Sequence, residues 1–149
     1  LAKREADLAA RLARPQAGEL VTRRLAKMAN GVYVAPRGNR SAWVGYDDSM
    51  ADLPEAVWLA RNTAGERVVL RTNSLAAQLA AVRAGFGKAL LPRLFAEEDG
   101  LVSLKPPAAP PVREAWLVVH RDLKDVPRVR AVIDAVASAF AAEQERLGP

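Results

Sequence analysis

Residues 71–92, RTNSLAAQLAAVRAGFGKALLP, constrain the fold more than any other stretch. The run ERVVLRT, 66–72, leads into it and reads as a strand built on Val68, Val69 and Leu70. Ser74, or Asn73 just before it, is a natural N-cap, because a short polar side chain can accept a hydrogen bond from the first helical turn. A helix over 74–84 follows, with Leu75, Leu79 and Val82 at i, i+4 and i+7 on one face. Gly85 ends it, as expected of a residue free to adopt the left-handed conformation. Gly87 suits a close backbone approach or a tight turn, and KALLP, 88–92, is a short strand. A strand-helix-strand unit of this kind belongs to an α/β fold, and a mostly parallel sheet is expected.

The rest of the chain fits that class. Residues 1–6 read as the tail of a helix, and DLAARL, 7–12, as a short buried strand stopped by Pro15. PQAG is a turn. ELVTRRL (19–25), GVYVAP (31–36) and the start of SAWVGYDDS (41–49) are strands. Asp52 can cap a helix over 55–62 with Pro54 in its first turn. LVSL, 101–104, is a strand, and KPPAAPPVRE, 105–114, with its four prolines, is an extended linker. EAWLVVH, 114–120, is the strongest strand of the chain. Asp125 then caps a long helix whose core stripe is Val129, Val132, Ile133, Val136 and Phe140. The proline linker and the late strand suggest a chain that leaves one lobe, builds a second and returns to the first.

Composition excludes more than it assigns. With 149 residues there is enough chain for one real core, and half of the residues are hydrophobic. The net charge is +5, which favours an anionic partner in general terms. However, 17 of the 22 basic residues are Arg and 30 residues are Ala, and the Arg residues are spread along the chain. That pattern reads as compositional drift rather than a nucleic-acid surface. There is no Cys, so disulfides, thiolate metal sites and Cys nucleophiles are excluded. No apolar run approaches a membrane span, and the first residues do not form a signal peptide.

Catalysis finds little support. His120 is the single His and ends an apolar strand, so a structural role is the plainer reading. There is no GxSxG nucleophile motif and no His/Asp/Glu cluster with metal-ligand spacing. The glycines at 85 and 87 follow a helix and open a strand, the reverse of a dinucleotide-binding loop. Asp47-Asp48 reads first as a turn and helix-entry device and second as a polar contact in a cleft. Trp43, Trp58 and Trp116 read as core or packing residues. What remains is the helix start at Thr72–Ser74. It lies at the carboxyl end of a strand, where ligands sit in open α/β sheets and where free N–H groups favour an anion or a polar carbonyl.

READLAARLARP, GELVTRRLAKMANGVYVAP, WVGYDDS…LPEAVWL, RTNSLAAQLAAVRAGFGKALLP and EAWLVVHRDLKDVPRVRAVIDAVASAF together resemble, in order, the effector-binding domain of LysR-type transcriptional regulators. The resemblance implies a two-lobed, type II periplasmic-binding-protein-like α/β fold with an incomplete first lobe. Lobe I would hold about 1–31 and 119–149, and lobe II about 32–118. It implies a small-molecule effector in a cleft, an anion among the candidates, and no cofactor. It also implies homodimers or tetramers of the full-length protein, and DNA contact only through an N-terminal winged helix-turn-helix absent from this chain. The first strand and helix of lobe I are absent as well, so apolar sheet should be exposed.

Carried over residue by residue, the cleft would be formed by Arg11, Leu12 and Ala13 at the end of the first strand. Facing them would be Thr72, Asn73 and Ser74, then Tyr46 and Asp47, with Gly87 toward the hinge side. Ser74 and Asn73 would donate hydrogen bonds, and Arg11 could pair with a carboxylate. Leu75, Leu79 and Val82 would be a core face or a dimer face. Such a chain is a cytoplasmic sensor, not an enzyme. A solute-binding protein of a transport system is the alternative on the same fold.

Overall fold

A computed structural model describes residues 6–13 and 20–148. The turn at 15–18, the stop at Pro15 and the helix tail at 1–5 lie outside the described residues. In chain order the strands are β1 (Leu8–Arg11), β2 (Leu20–Met28), β3 (Asn30–Val34), β4 (Ala42–Tyr46), β5 (Arg67–Thr72), β6 (Ala89–Pro92), β7 (Val102–Leu104) and β8 (Arg113–His120). The helices are α1 (Pro54–Asn62), α2 (Leu75–Arg83), α3 (Arg93–Glu98), α4 (Pro127–Ala142) and α5 (Gln144–Leu147).

The chain divides into two compact units, Leu1–Met28 with Val112–Pro149, and Ala29–Pro111. The sequence reading put the return crossing near 118, at the end of the last strand. In the structure β8 pairs along its whole length with β2, from Leu20 opposite His120 to Met28 opposite Arg113, so the strand belongs entirely to the first unit.

In that first unit β8 is the central strand, with β1 and β2 antiparallel on either side. In the second, β3 lies between β6 and β7, again antiparallel. Among the described residues only β4 and β5 pair as parallel strands, and a parallel bridge joins Trp43 to Lys88 just before β6. The expected mostly parallel sheet is thus corrected. Alternation of strands and helices argues for parallel pairing only between consecutive strands joined by a helix. Here most sheet neighbours come from distant segments, and among the described residues β4 and β5 are the one pair of hydrogen-bonded strands that are consecutive and joined through a helix.

The core of the second unit follows the strand period of two. In β3, Val32 faces one side and Tyr33 the other. Trp43 and Val44 of β4, and Leu90 and Leu91 of β6, divide in the same way. Val32, Trp43 and Leu90 pack with Trp58 and Leu59 of α1. Tyr33, Val44 and Leu91 pack with Ala81 and Val82 of α2 and Ala96 of α3. Burying each large apolar side chain contributes about 1.5–3 kcal/mol, and sharing them between two faces fixes the register of β3, β4 and β6.

Helix α2 has the expected ends. The Ser74 hydroxyl accepts from the Ala77 N–H. Gly85 has φ +81° and donates to Val82 O at 2.9 Å, while Phe86 N–H reaches Ala81 O at 3.1 Å. This paired closure uses the last free carbonyls of the helix. Its buried face is Gln78, Ala81 and Val82. Leu75 is exposed, and Leu79 is half-buried and packs against the cluster of Tyr33, Val44 and Leu91.

Several local expectations change. Asp52 and Asp125 do not cap: α1 starts after Leu53 and α4 after Val126, neither with a side-chain cap. In both, Pro occupies the first helical position, where its fixed φ and missing N–H set the start and remove one donor that needs a partner. β1 is half-buried to exposed rather than buried, since among the described residues it pairs only with β8 and forms the edge of its sheet. On α4, Val129 is buried and Ile133, Val136 and Phe140 are half-buried, whereas Val132 is 49% exposed. At 100° per residue it falls roughly 60° off the line of Val129. Helix α3 was not foreseen. It is one and a half turns long, held by an Arg93–Glu97 pair at 2.7 Å and stopped at Gly100, φ +66°.

Candidate functional site

The parallel pair β4 and β5 ends with Tyr46 opposite Thr72. One residue on, Asp47 N–H donates to Thr72 O at 3.3 Å. The two strand ends therefore open side by side, one into Asp47–Met50 and the other into the start of α2. Asp47 accepts from Ser49 N–H at 3.0 Å and from Ser49 Oγ at 2.6 Å, which caps the 3-10 turn Asp48–Met50. Its turn-forming role is thus direct. Asn73 Nδ2 lies 3.5 Å from Ser49 Oγ and links the two loops.

The donors at the helix start differ from the expectation. Ser74 N–H is engaged by Thr72 Oγ1 at 3.1 Å, and Ser74 Oγ by Ala77 N–H at 3.3 Å. A helix leaves its first N–H groups without intrahelical acceptors, and with those of Ser74 and Ala77 engaged, the two left at this helix start are those of Leu75 and Ala76. Thr72 and Ser74 shape the turn, and the backbone of the next two residues supplies the donors. Arg71 adds positive charge beside the same loops, its Nη1 3.4 Å from Tyr46 O.

Gln78 is a residue that sequence reasoning passed over. It is 2% exposed, and its Nε2 donates to Gly45 O at 3.3 Å, tying the second turn of α2 to the end of β4. A buried amide is costly unless bonded, so an amide on the buried face of an Ala-Leu helix was the available signal. Tyr46 also reaches across the sheet, its hydroxyl 3.3 Å from Leu90 O.

Tyr46, Asp47, Thr72, Asn73 and Ser74 are thus brought together. Gly87 is not among them. A Cβ there would lie 2.7 Å from Ala42 O, at the amino end of β4, so Gly87 serves the close backbone approach of Lys88 to Ala42. Arg11, Leu12 and Ala13 belong to the other unit, at the end of β1. All three are exposed, and Leu12 O accepts from Arg113 Nε at 3.2 Å.

A cavity of about 560 Å³ adjoins the strand ends on the α1 side. Leu59 and Val68 form its apolar wall, and Asp47, Arg61, Glu66 and Arg71 its charged rim. Glu66 is already committed. It accepts from Lys88 Nζ and Trp43 Nε1, both at 2.9 Å, and Lys88 lies 4.5 Å from the Trp43 ring centroid. The Lys88 hydrogen bond, with that of Trp43 and the Lys88 charge, holds the Glu66 carboxyl below its ordinary range despite slight desolvation.

Among the described residues no group of three His, Asp or Glu could hold a metal ion, and no helix is long and apolar enough to cross a membrane. His120 sits 3.4 Å from the exposed Asp122, with no nucleophile in the pair.

Comparison with known proteins bears on this arrangement. Residues 1–141 match the LysR substrate binding domain family. The Mau operon transcriptional activator of Paracoccus denitrificans is 30% identical over 145 residues, covering 95% of this chain and 51% of that protein. The chain therefore spans about half the length of this curated relative. CrgA of Neisseria meningitidis, a LysR-type transcriptional regulator, superposes with a TM-score of 0.77 at 17% identity, over 94% of this chain and 54% of that one. LysG of Corynebacterium glutamicum, solved with its effector Arg bound, superposes with a TM-score of 0.70 at 16% identity, over 99% of this chain and 54% of that one. The fold is that of LysR regulatory domains, and the chain belongs to the LysR substrate binding domain family.

Proposed function

We propose that this chain is the effector-sensing part of a LysR-type transcription regulator, and that the β4 and β5 ends form the share of the ligand site carried by the second unit. The observation that carries this reading is the pair of adjoining strand ends with two N–H groups left at the start of α2 and Arg71 beside them. That combination suits a carboxylate or another small anion. Tyr46, Asp47, Thr72, Asn73 and Ser74 shape the site, and Arg11 is the residue of the first unit best suited to a carboxylate. The effector shifts the regulator only by its differential affinity for two arrangements of the chain. Full-length protein would be a cytoplasmic homodimer or tetramer that meets DNA through a segment outside this chain. The relatives named above are transcription regulators, which favours sensing over solute transport.

The test is a thermal-shift screen of the chain against small carboxylic and amino acids, followed by titration calorimetry of any hit. A ligand at 100 times its Kd adds about 2.7 kcal/mol of stability. Asn73→Ala with Ser74→Ala should weaken the hit at least tenfold, and Arg11→Ala should weaken it separately. Unchanged affinity in the double variant sinks the site assignment.

A further inference from the structure

The cavity of about 560 Å³ lies wholly within the second unit, and its size falls in the roughly 300–1,000 Å³ range of small-molecule sites. Its apolar wall, Leu59 and Val68, belongs to the cluster of Trp43 and Trp58. Helix α2 packs on the other face of the sheet, with Tyr33 and Val44, and none of residues 72–78 lines the cavity. It is therefore distinct from the helix start at Ser74 and meets that site only where Tyr46, Asp47 and Arg71 border both. Ala56 and Ala60 stand one turn apart on the same flank of α1, and their short side chains leave the space between the helix and β5 unfilled.

The charges around the cavity do not cancel at both ends. Near the ends of β4 and β5, Arg71 sits with Asp47 and Asp48. At the turn from α1 to β5, Arg61 sits with Glu66, but that carboxylate already accepts from Lys88 Nζ and Trp43 Nε1, both at 2.9 Å. Arg61, in the last turn of α1, makes no ion pair or side-chain hydrogen bond among the described residues. The mouth beside it is open: Gly65 has φ +85°, and a Cβ there would meet nothing within 4 Å. We propose that this cavity is a binding site for an organic acid with an apolar body, its anionic head at Arg61 and its body against Leu59 and Val68. A guanidinium offers paired N–H donors to a carboxylate, sulfonate or phosphate, and the wall favours a ligand that brings apolar surface to cover it. A bare inorganic anion would leave the wall uncovered, and a neutral hydrocarbon would leave Arg61 without an acceptor. The site stands apart from the ligand reading at the start of α2, and either can fail without the other.

Anilinonaphthalene sulfonate has both parts of such a ligand and serves as the probe, followed by fluorescence and by titration calorimetry. The parent chain should bind it at one saturable site. Arg61→Ala should weaken binding about fivefold, the size of one exposed ion pair. Phenylnaphthylamine, the uncharged counterpart of the probe, should bind the parent more weakly by a similar factor and should not respond to Arg61→Ala. Ala60→Phe fills the cavity from its flank and should weaken the probe about tenfold or more. Ala60 and Arg61 are both exposed, and Arg61→Ala removes no buried group, so the test survives should Ala60→Phe fold poorly. Asn73→Ala with Ser74→Ala should leave the probe affinity unchanged. Absence of saturable binding, or an affinity that neither Arg61→Ala nor Ala60→Phe alters, overturns the proposal. So does a loss in the Asn73, Ser74 double variant equal to that in Ala60→Phe, which would place the probe at the start of α2.

Discussion

Strand β4 has five residues and buries four; helix α4 has sixteen and fully buries one. The contrast separates the two units. In the second unit a layer of apolar strand residues is covered on both faces, by α1 on one and by α2 and α3 on the other. In the first unit the buried residues are mostly the central-strand set Ala115, Leu117, Val118 and Val119, with Ala26 of β2 and with Val129 and Leu147 of the two helices that lie against β2. Leu12, Val21 and Val132 are more than a third exposed there, as Phe86, Phe95 and Val102 are in the second unit. Burial scales with cover, and sequence periodicity marks only which face would be covered if a partner element were present. The same apolar stripe therefore contributes fully in α1 and weakly in α4.

The largest expected effect tests this directly. Trp43 is 1% exposed, and its indole also bonds Glu66. Trp43→Ala should cost about 3–5 kcal/mol, the range for truncating a large buried aromatic. Val132→Ala, at a 49% exposed position, should stay within about 0.5 kcal/mol. Urea titration followed by far-ultraviolet circular dichroism measures both, the slope reporting whether the same surface unfolds. Costs of similar size would mean that α4 is covered in solution by something beyond these contacts.

Gly87 sharpens the same point at a single atom. Its missing Cβ would meet Ala42 O at 2.7 Å and Ala42 C at 3.1 Å, both backbone atoms of a buried strand. Gly87→Ala should cost about 1–3 kcal/mol, as overpacking a close-packed core does. A cost near zero would show that β4 and the start of β6 can part, and that the second unit is looser than its burial indicates.

These two residues also show what could be read from the chain. Gly85 and Gly87 were legible because each answers a local demand, a left-handed closure and a close approach. Ser74 was legible as a cap for the same reason. Sheet neighbours were not, because antiparallel pairing of β8 with β1 and β2 joins residues about a hundred positions apart and leaves no local trace. The aspartates at 52 and 125 misled because proline, two residues later in each case, decided the helix start. For the candidate site, the residue types at the two strand ends were readable, but their division of labour was not. The remaining donors are backbone groups of Leu75 and Ala76, and the support is Gln78, whose burial depends on a helix face that only the packed sheet defines.

A smaller effect separates a helix end from a helix middle. Ser74→Ala removes the acceptor for Ala77 N–H and should cost about 1 kcal/mol. Ser138→Ala, exposed in the middle of α4, should be neutral or stabilising by about 0.5 kcal/mol, since Ala is the better helix former. If both substitutions behaved alike, the start of α2 would not be set by its cap, and the loop geometry at Thr72 to Ser74 would need another cause.

The smallest expected effect concerns pH. The Glu66 carboxyl is held below its ordinary value of 4.5, chiefly by the Lys88 hydrogen bond. A carboxyl whose folded value is depressed binds its proton more readily in the unfolded chain. Its contribution is therefore complete above the unfolded value and is lost as pH falls through the folded one. Glu66 is 40% exposed at its side chain, so water screens the pair and the contribution belongs with exposed ion pairs, about 0.2–1 kcal/mol. Glu66→Gln should lower stability slightly at pH 7 and flatten its decline below about pH 4.5, where linkage places the loss. Chemical denaturation at several pH values reads both. A Glu66→Gln profile parallel to the parent in acid would mean that the Lys88–Trp43–Glu66 cluster acts by packing alone. The acid sensitivity of the second unit would then have to come from other carboxylates, despite its denser core.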